Sequence, residues 1–167
     1  MSLLNTANKV FVGNAAVDRV YLGSNLVWQS EAVVENPNLL VNGDFSGGTT
    51  TGWTVANGGV LSVENGALKM TKTSGSNCFF YQSVAVQAGK NYEIKVEVLE
   101  SVGNTGIRLG NGPAQLTYLN SGAVGPRQFV HTYSPTSDSN LFLSVVYVSS
   151  VVGEYGLYDN MSIREIL

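Results

Sequence analysis

Apolar and polar positions alternate cleanly from Tyr92 to Leu99: Tyr92, Ile94, Val96 and Val98 share one face, and Glu93, Lys95 and Glu97 the other. A period of two is that of a β-strand with one face in a core and one in water. Around this stretch, apolar runs recur at a spacing of roughly eight to twelve residues, the rhythm of a sandwich or barrel. They predict strands over Leu39 to Val41, Val60 to Val63, Ala67 to Lys72, Cys78 to Val86, Ile107 to Leu109, Gln115 to Leu119, Gln128 to Tyr133, Leu141 to Ser149 and Tyr155 to Glu165. Turn-rich pieces such as Asn111-Gly112-Pro113 and Ser134 to Ser139 separate them. No window holds a helical period, so the chain is expected to be all-β.

The first strands differ in kind. Lys9 to Asp18 is followed without a gap by a second copy, Arg19 to Trp28, in which Val10, Gly13 and Val17 recur as Val20, Gly23 and Val27. Each copy reads as strand, glycine turn, strand, and the two together as a small β-hairpin meander. Val10-Phe11-Val12 and Val20-Tyr21-Leu22 are apolar at every position, so both faces of the ribbon seek cover. A ribbon of this size is marginal alone in water. It is therefore expected to be an arm for attachment or oligomerisation, with Val10, Phe11, Val12, Val20, Tyr21, Leu22 and Trp28 as its contact residues. Gln29 to Pro37 repeats nothing before it and carries Glu31, Glu35 and a proline. The boundary is set there: an arm over residues 1–36 and a globular domain over 37–167.

The chain has 167 residues, enough for one core and an appendage but short for two ordinary domains. Its 19 glycines and low charged fraction of 13% suit short strands and tight turns. The net charge of −3 supplies no basic stripe, which argues against nucleic acid and anionic membranes as partners. Cys78 is the single cysteine, which excludes an intrachain disulfide and a CxxC metal knuckle, and it reads as a small buried hydrophobe. The first thirty residues show no basic leader followed by an apolar core, and no run approaches the length of a membrane span, so neither export by a signal peptide nor membrane insertion is expected.

Enzymatic chemistry finds little footing. His131 is the single histidine, too few for a metal cluster, and no Gly-x-Ser-x-Gly elbow accompanies it. Glu93 and Glu97 flank Lys95 on one strand face, whereas a glycosidase pair must sit across a cleft. Gly103 to Gly112 lacks the Lys-Ser/Thr of a phosphate loop and reads as turns. The protein is expected not to be an enzyme.

Asn38-Leu39-Leu40-Val41-Asn42-Gly43-Asp44-Phe45, with Gly52-Trp53 after it, is where a family comes into view. Together with Gln82 to Val86, Ala88-Gly89-Lys90-Asn91-Tyr92 and the closing Leu157 to Ile163, it resembles the galactose-binding-like β-jelly-roll carbohydrate-binding modules of families 4, 9 and 22. The resemblance spans residues 38–166 and implies a β-sandwich jelly roll. It places Phe80, Val84 and Val86 in the core, which turns Phe79 and Tyr81 to the opposite face, where aromatic rings can stack on sugars. Tyr118, His131 and Tyr147 are expected to join them from neighbouring strands, with Gln82, Arg108 and Gln115 as hydrogen-bonding partners of the hydroxyls. Trp53 reads instead as a plug of the core. The one cofactor the resemblance implies is a structural calcium held by Asp44, Glu64 and Asp159, although Ser46 stands where the family commonly has a carboxylate.

The N-terminal repeat is similar to the Val-Tyr-Leu-Gly hairpins near the start of many bacteriophage virion proteins. That implies a non-enzymatic virion structural protein assembled in the host cytoplasm, first a capsid decoration or head fibre, second a tail or baseplate component. Its partners would be other virion proteins and copies of itself, most simply as a trimer, and a cell-surface glycan. Two other readings stay open: an architectural cement or spacer that binds no sugar, and a free-standing bacterial polysaccharide-binding module.

Overall fold

A computed structural model describes residues 10–12, 15–17, 19–22, 24–29, 35–75, 77–148 and 151–166. It divides the chain into two compact units, Met1–Glu35 and Asn36–Leu167.

In the first unit, β1 (Val10–Val12) pairs antiparallel with β2 (Ala15–Val17), and β3 (Arg19–Leu22) with β4 (Asn25–Gln29). Each repeat is thus a hairpin, as expected. The hairpins are separate two-stranded sheets rather than one meander. Asp18 alone links β2 to β3, fewer than the two residues of the shortest common hairpin turn. Among the predicted contact residues, Leu22 is 74% exposed and Val20 half-buried. The side chains of Val10, Phe11, Val12, Tyr21 and Trp28 lie outside the described residues.

The second unit is a sandwich of two antiparallel sheets. Its strands are β5 (Thr54–Ala56), β6 (Gly59–Glu64), β7 (Ala67–Lys72), β8 (Cys78–Val86), β9 (Asn91–Val102), β10 (Thr105–Gly110), β11 (Leu119–Val124), β12 (Arg127–Tyr133), β13 (Ser139–Tyr147) and β14 (Tyr155–Ile166). One sheet has the order β11-β10-β13-β8-β5 and the other β12-β9-β14-β7-β6. No helix occurs among the described residues.

Alternation dictates the core. On β9, Tyr92, Ile94, Val96 and Val98 are buried between the sheets while Glu93, Lys95 and Glu97 point out. Phe80, Val84 and Val86 on β8 and Leu141, Leu143 and Val145 on β13 meet them from the other sheet. Trp53 is 8% exposed, packs against Phe45 and Phe80 at centroid distances of 6.0 and 5.4 Å, and donates its indole N–H to Asn42 O at 3.1 Å. It plugs the core, and Cys78 is buried in the same cluster with its thiol pushed up by burial.

Two strand assignments are corrected. Leu39 to Val41 is not a strand. Leu39 N donates to Ile163 O of the last strand at 2.8 Å, and side-chain amides stand in for further ladder bonds: Asn38 Oδ1 accepts from Leu40 N and Ile163 N, and its Nδ2 donates to Met161 O. Gln115 to Tyr118 is loop, and the strand expected there starts at Leu119. Gly110 is bare because a Cβ would meet Gln115 O at 2.7 Å, so this loop folds back over the end of β10 instead of running alongside it.

Candidate functional site

The outer faces of the two sheets differ in chemistry. Outward residues of the β12-β9-β14-β7-β6 sheet include Glu93, Lys95 and Lys69, and the pairs Lys69–Glu64 (2.9 Å) and Lys95–Glu93 (2.6 Å) lie there. The strands of the other sheet contain a single charged residue, Arg108. The outer face of this second sheet is therefore nearly free of charge, and its aromatic side chains make it the candidate site.

Strand β8 supplies the centre of that surface. Phe80, Gln82 and Val84 point inward, so Phe79, Tyr81, Ser83 and Ala85 point outward, as expected for Phe79 and Tyr81. The neighbouring β13 places Phe142 on the same side by the same parity, since Leu141 and Leu143 are buried. The rings of Phe79, Tyr81 and Phe142 follow one another at centroid distances of 6.0 Å and 6.0 Å, all half-buried. They form a continuous aromatic platform. Sequence reading missed Phe142, although its position between two core leucines signals an outward side chain.

Arg108 projects outward from β10, between the inward Ile107 and Leu109. Its Nη1 donates to Ala114 O at 3.1 Å, and Ala114 N donates to Ser144 Oγ at 2.9 Å, which pins the loop over the outer face of β10 and β13. Ser144 is fully buried under it. Gln115 lies in this loop, exposed, beside the platform. Next to Arg108, a groove of about 280 Å³ opens along β10 and β11.

Four of the residues expected at this face are elsewhere. Tyr147 has the inward parity of Leu141 and Leu143, is fully buried, and burial raises its hydroxyl pKa. Gln82 is likewise inward: Oε1 accepts from Val41 N at 2.6 Å and Nε2 donates to Val41 O at 3.0 Å. His131 is on β12, in the opposite sheet, paired with Ile94 and stacked on Phe129 at 6.4 Å. The ring partner of Tyr118 is Tyr133 of β12, at 4.9 Å, rather than any aromatic of the platform. Burial and the Tyr118 hydroxyl push Tyr133 up to about 12.

The donor set expected for calcium does not assemble. Glu64 is held by Lys69 Nζ at 2.9 and 3.2 Å. Asp44 Oδ1 accepts from Ser46 N at 3.3 Å and Asp159 Oδ1 from Asn160 N at 2.7 Å, so both already serve their own turns. No group of three or more His, Cys, Asp or Glu side chains comes together among the described residues, so Asp44, Glu64 and Asp159 do not form one carboxylate cluster.

No protein-family model matches the chain, and no curated protein does. Solved structures do. The N-terminal cellulose-binding domain of a Cellulomonas fimi β-1,4-glucanase is 16% identical at a TM-score of 0.55, over 78% of this chain and 99% of that one. The CBM22-1 xylan-binding domain of Paenibacillus barcinonensis Xyn10C is 21% identical at a TM-score of 0.50, over 81% of this chain and 98% of that one. The enzymatically active domain of tailspike protein 4 of bacteriophage CBA120 is 15% identical at a TM-score of 0.58, over 77% of this chain and 21% of the longer one. The Asn36–Leu167 unit therefore has the jelly-roll sandwich fold also seen in these carbohydrate-binding domains.

Proposed function

We propose that the protein is a non-enzymatic glycan-binding module that docks sugar rings on the outer face of the β11-β10-β13-β8-β5 sheet. The observation that carries this reading is the open row of Phe79, Tyr81 and Phe142 on a face with one charged side chain. Aromatic faces take the apolar C–H patches of a sugar ring, and the loop and the neighbouring Asn and Ser side chains offer partners for its hydroxyls. Likeness of fold to domains named for binding cellulose and xylan supports the class of ligand.

The module is displayed, on this reading, by a virion, as a capsid decoration or head fibre. The repeated hairpins of residues 10–29 support an arm that attaches to the particle and gathers copies of the chain, most simply three. The jelly-roll fold also occurs in a bacteriophage tailspike protein. Arraying copies has a physical purpose. A shallow sugar site of about millimolar strength contributes only ~4 kcal/mol, and simultaneous engagement of several raises avidity by about 10²-fold or more.

Affinity electrophoresis of the full chain through gels containing a panel of soluble polysaccharides tests the first half: retardation by at least one is expected, and none would leave an architectural spacer as the better reading. Light scattering on the full chain and on a chain starting at Asn36 tests the second. The full chain is expected to be an oligomer and the shortened one a monomer, and two monomers would remove the arm from the account.

A further inference from the structure

We infer that the glycan taken by this face is an acidic one, with a uronate carboxylate held by Arg108 at the groove between β10 and β11. The inference rests on the glycan-binding reading above and names the class of sugar.

Arg108 is the single charged residue in the five strands of its sheet, and it forms no ion pair with any described residue. Among the described residues Ala114 O is the one hydrogen-bond partner of its guanidinium, which has five N–H donors. That bond fixes the side chain and leaves most of its donors unspent. A planar guanidinium held in place matches a carboxylate with two parallel hydrogen bonds, a fit that neutral sugar hydroxyls do not reproduce.

The groove is built to admit a ligand there. Between Gly106 and Arg108 the β10–β11 register shifts, with Ser121 and Gly122 opposing Ile107. This is a β-bulge: Gly122 has φ +67°, and Ser121 Oγ accepts from Ile107 N at 2.8 Å. A Cβ on Gly106 would meet Gly122 O at 2.9 Å, so the two glycines leave a bare backbone floor. Asn104 and Asn120 line the same groove with Arg108 and carry amides suited to hydroxyls.

The groove is also in register with the aromatic platform. Across the sheet Arg108 pairs with Ser144 and Ser144 with Tyr81, while Gly106 pairs with Val146 and Val146 with Phe79. Arg108 and Tyr81 are therefore two strand spacings apart, about 10 Å. A short oligosaccharide spans that, with one ring on the platform and an acidic neighbour at the guanidinium.

Calorimetric titration of the full chain with oligosaccharides containing glucuronate, galacturonate or mannuronate, each beside its carboxyl-reduced form and beside sulfated dextran, tests the inference. At least one uronate is expected to bind about tenfold tighter than its reduced form, with a preference that shrinks as salt rises. Arg108→Gln is expected to bind both forms at the level of the reduced one, and Arg108→Lys to keep part of the preference. Equal binding of acidic and reduced sugars by the unaltered protein would overturn the inference and leave the proposed function standing. A preference that survives in Arg108→Gln, or tighter binding of sulfated dextran than of every uronate, would also overturn it. If none of them bound and no neutral glycan bound either, both readings would be overturned together.

Discussion

Gln82 closes both backbone groups of Val41, accepting from its N–H at 2.6 Å and donating to its C=O at 3.0 Å. The two residues are 41 positions apart, and the pair joins a central strand of one sheet to the irregular segment that opens the domain. Gln82 is 8% exposed, and Gly52 sits against it, since a Cβ there would meet Gln82 Nε2 at 3.2 Å. Gln82→Ala is expected to lower the unfolding free energy by about 1–3 kcal/mol, through two lost bonds and a part-buried peptide left without partners. Urea unfolding measures this. Glycan affinity of the folded fraction should be unchanged, because the side chain faces inward, and a variant that unfolds like the unaltered protein yet loses binding would contradict the assignment.

Tyr81 has the opposite role. It is the middle ring of the platform and pairs across strands with Ser144 and Thr54. Tyr81→Ala is expected to weaken binding of whichever polysaccharide the chain retains by about tenfold, in line with ~1 kcal/mol for a stacked ring plus the area it covers. Phe142→Ala should act in the same direction, and Tyr81→Phe should keep most of the affinity. Calorimetry on matched samples gives the ratio, and a thermal scan should show the three variants melting near the unaltered protein. Undiminished affinity in both alanine variants would move the sugar site off this face.

Much of this was legible in the chain, and the failures have a common physical source. Period-two alternation was enough for β9, and for Phe79 and Tyr81, because parity along a strand is a local property. Parity also contained Phe142 and excluded Tyr147 and Gln82, once Leu141 and Phe80 are taken as inward. Which sheet a strand joins is not local. His131 lies on the sheet opposite the platform because β12 pairs with β9, a pairing between segments some thirty residues apart that no pattern in either announces. Leu39 to Val41 has the composition of a strand, but after the bond from Leu39 N to Ile163 O its partners are the side chains of Asn38 and Gln82, which hydropathy does not register.

Gly43 lies against the last strand. An added Cβ would collide with the carbonyl oxygen of Met161, which already accepts from Asn38 Nδ2, while Met161 N donates to Gly43 O at 2.8 Å. The obstacle is backbone on both sides, so a methyl group must push the opening segment off β14. Gly43→Ala is expected to cost about 3 kcal/mol or more, in the range of overpacked core sites. Gly47, where a Cβ meets nothing within 4 Å, is the control: Gly47→Ala should melt like the unaltered protein. Differential scanning calorimetry separates the two, and equal melting temperatures would show that Gly43 does not pack as described.

Asp159 sits where β14 is irregular against β9, and its carboxyl is held above the ordinary value, chiefly by burial and further by the nearby charges of Glu97 and Asp44, against a lowering bond from Asn160 N. A raised carboxyl means that the folded chain binds this proton more tightly than the unfolded chain does. Between the two values the native state holds more protons, so stability falls as pH rises through that window and is fully present below it. Asp159→Asn keeps an oxygen for Asn160 N but carries no charge. The variant should therefore be more stable than the unaltered protein at neutral pH and converge with it in acid, with a flatter profile between. Urea unfolding at a series of pH values from acid to neutral gives both curves. Parallel curves would mean that Asp159 is not strained by its neighbours, and a variant less stable only when calcium is supplied would mean that the like charges are gathered around an ion after all.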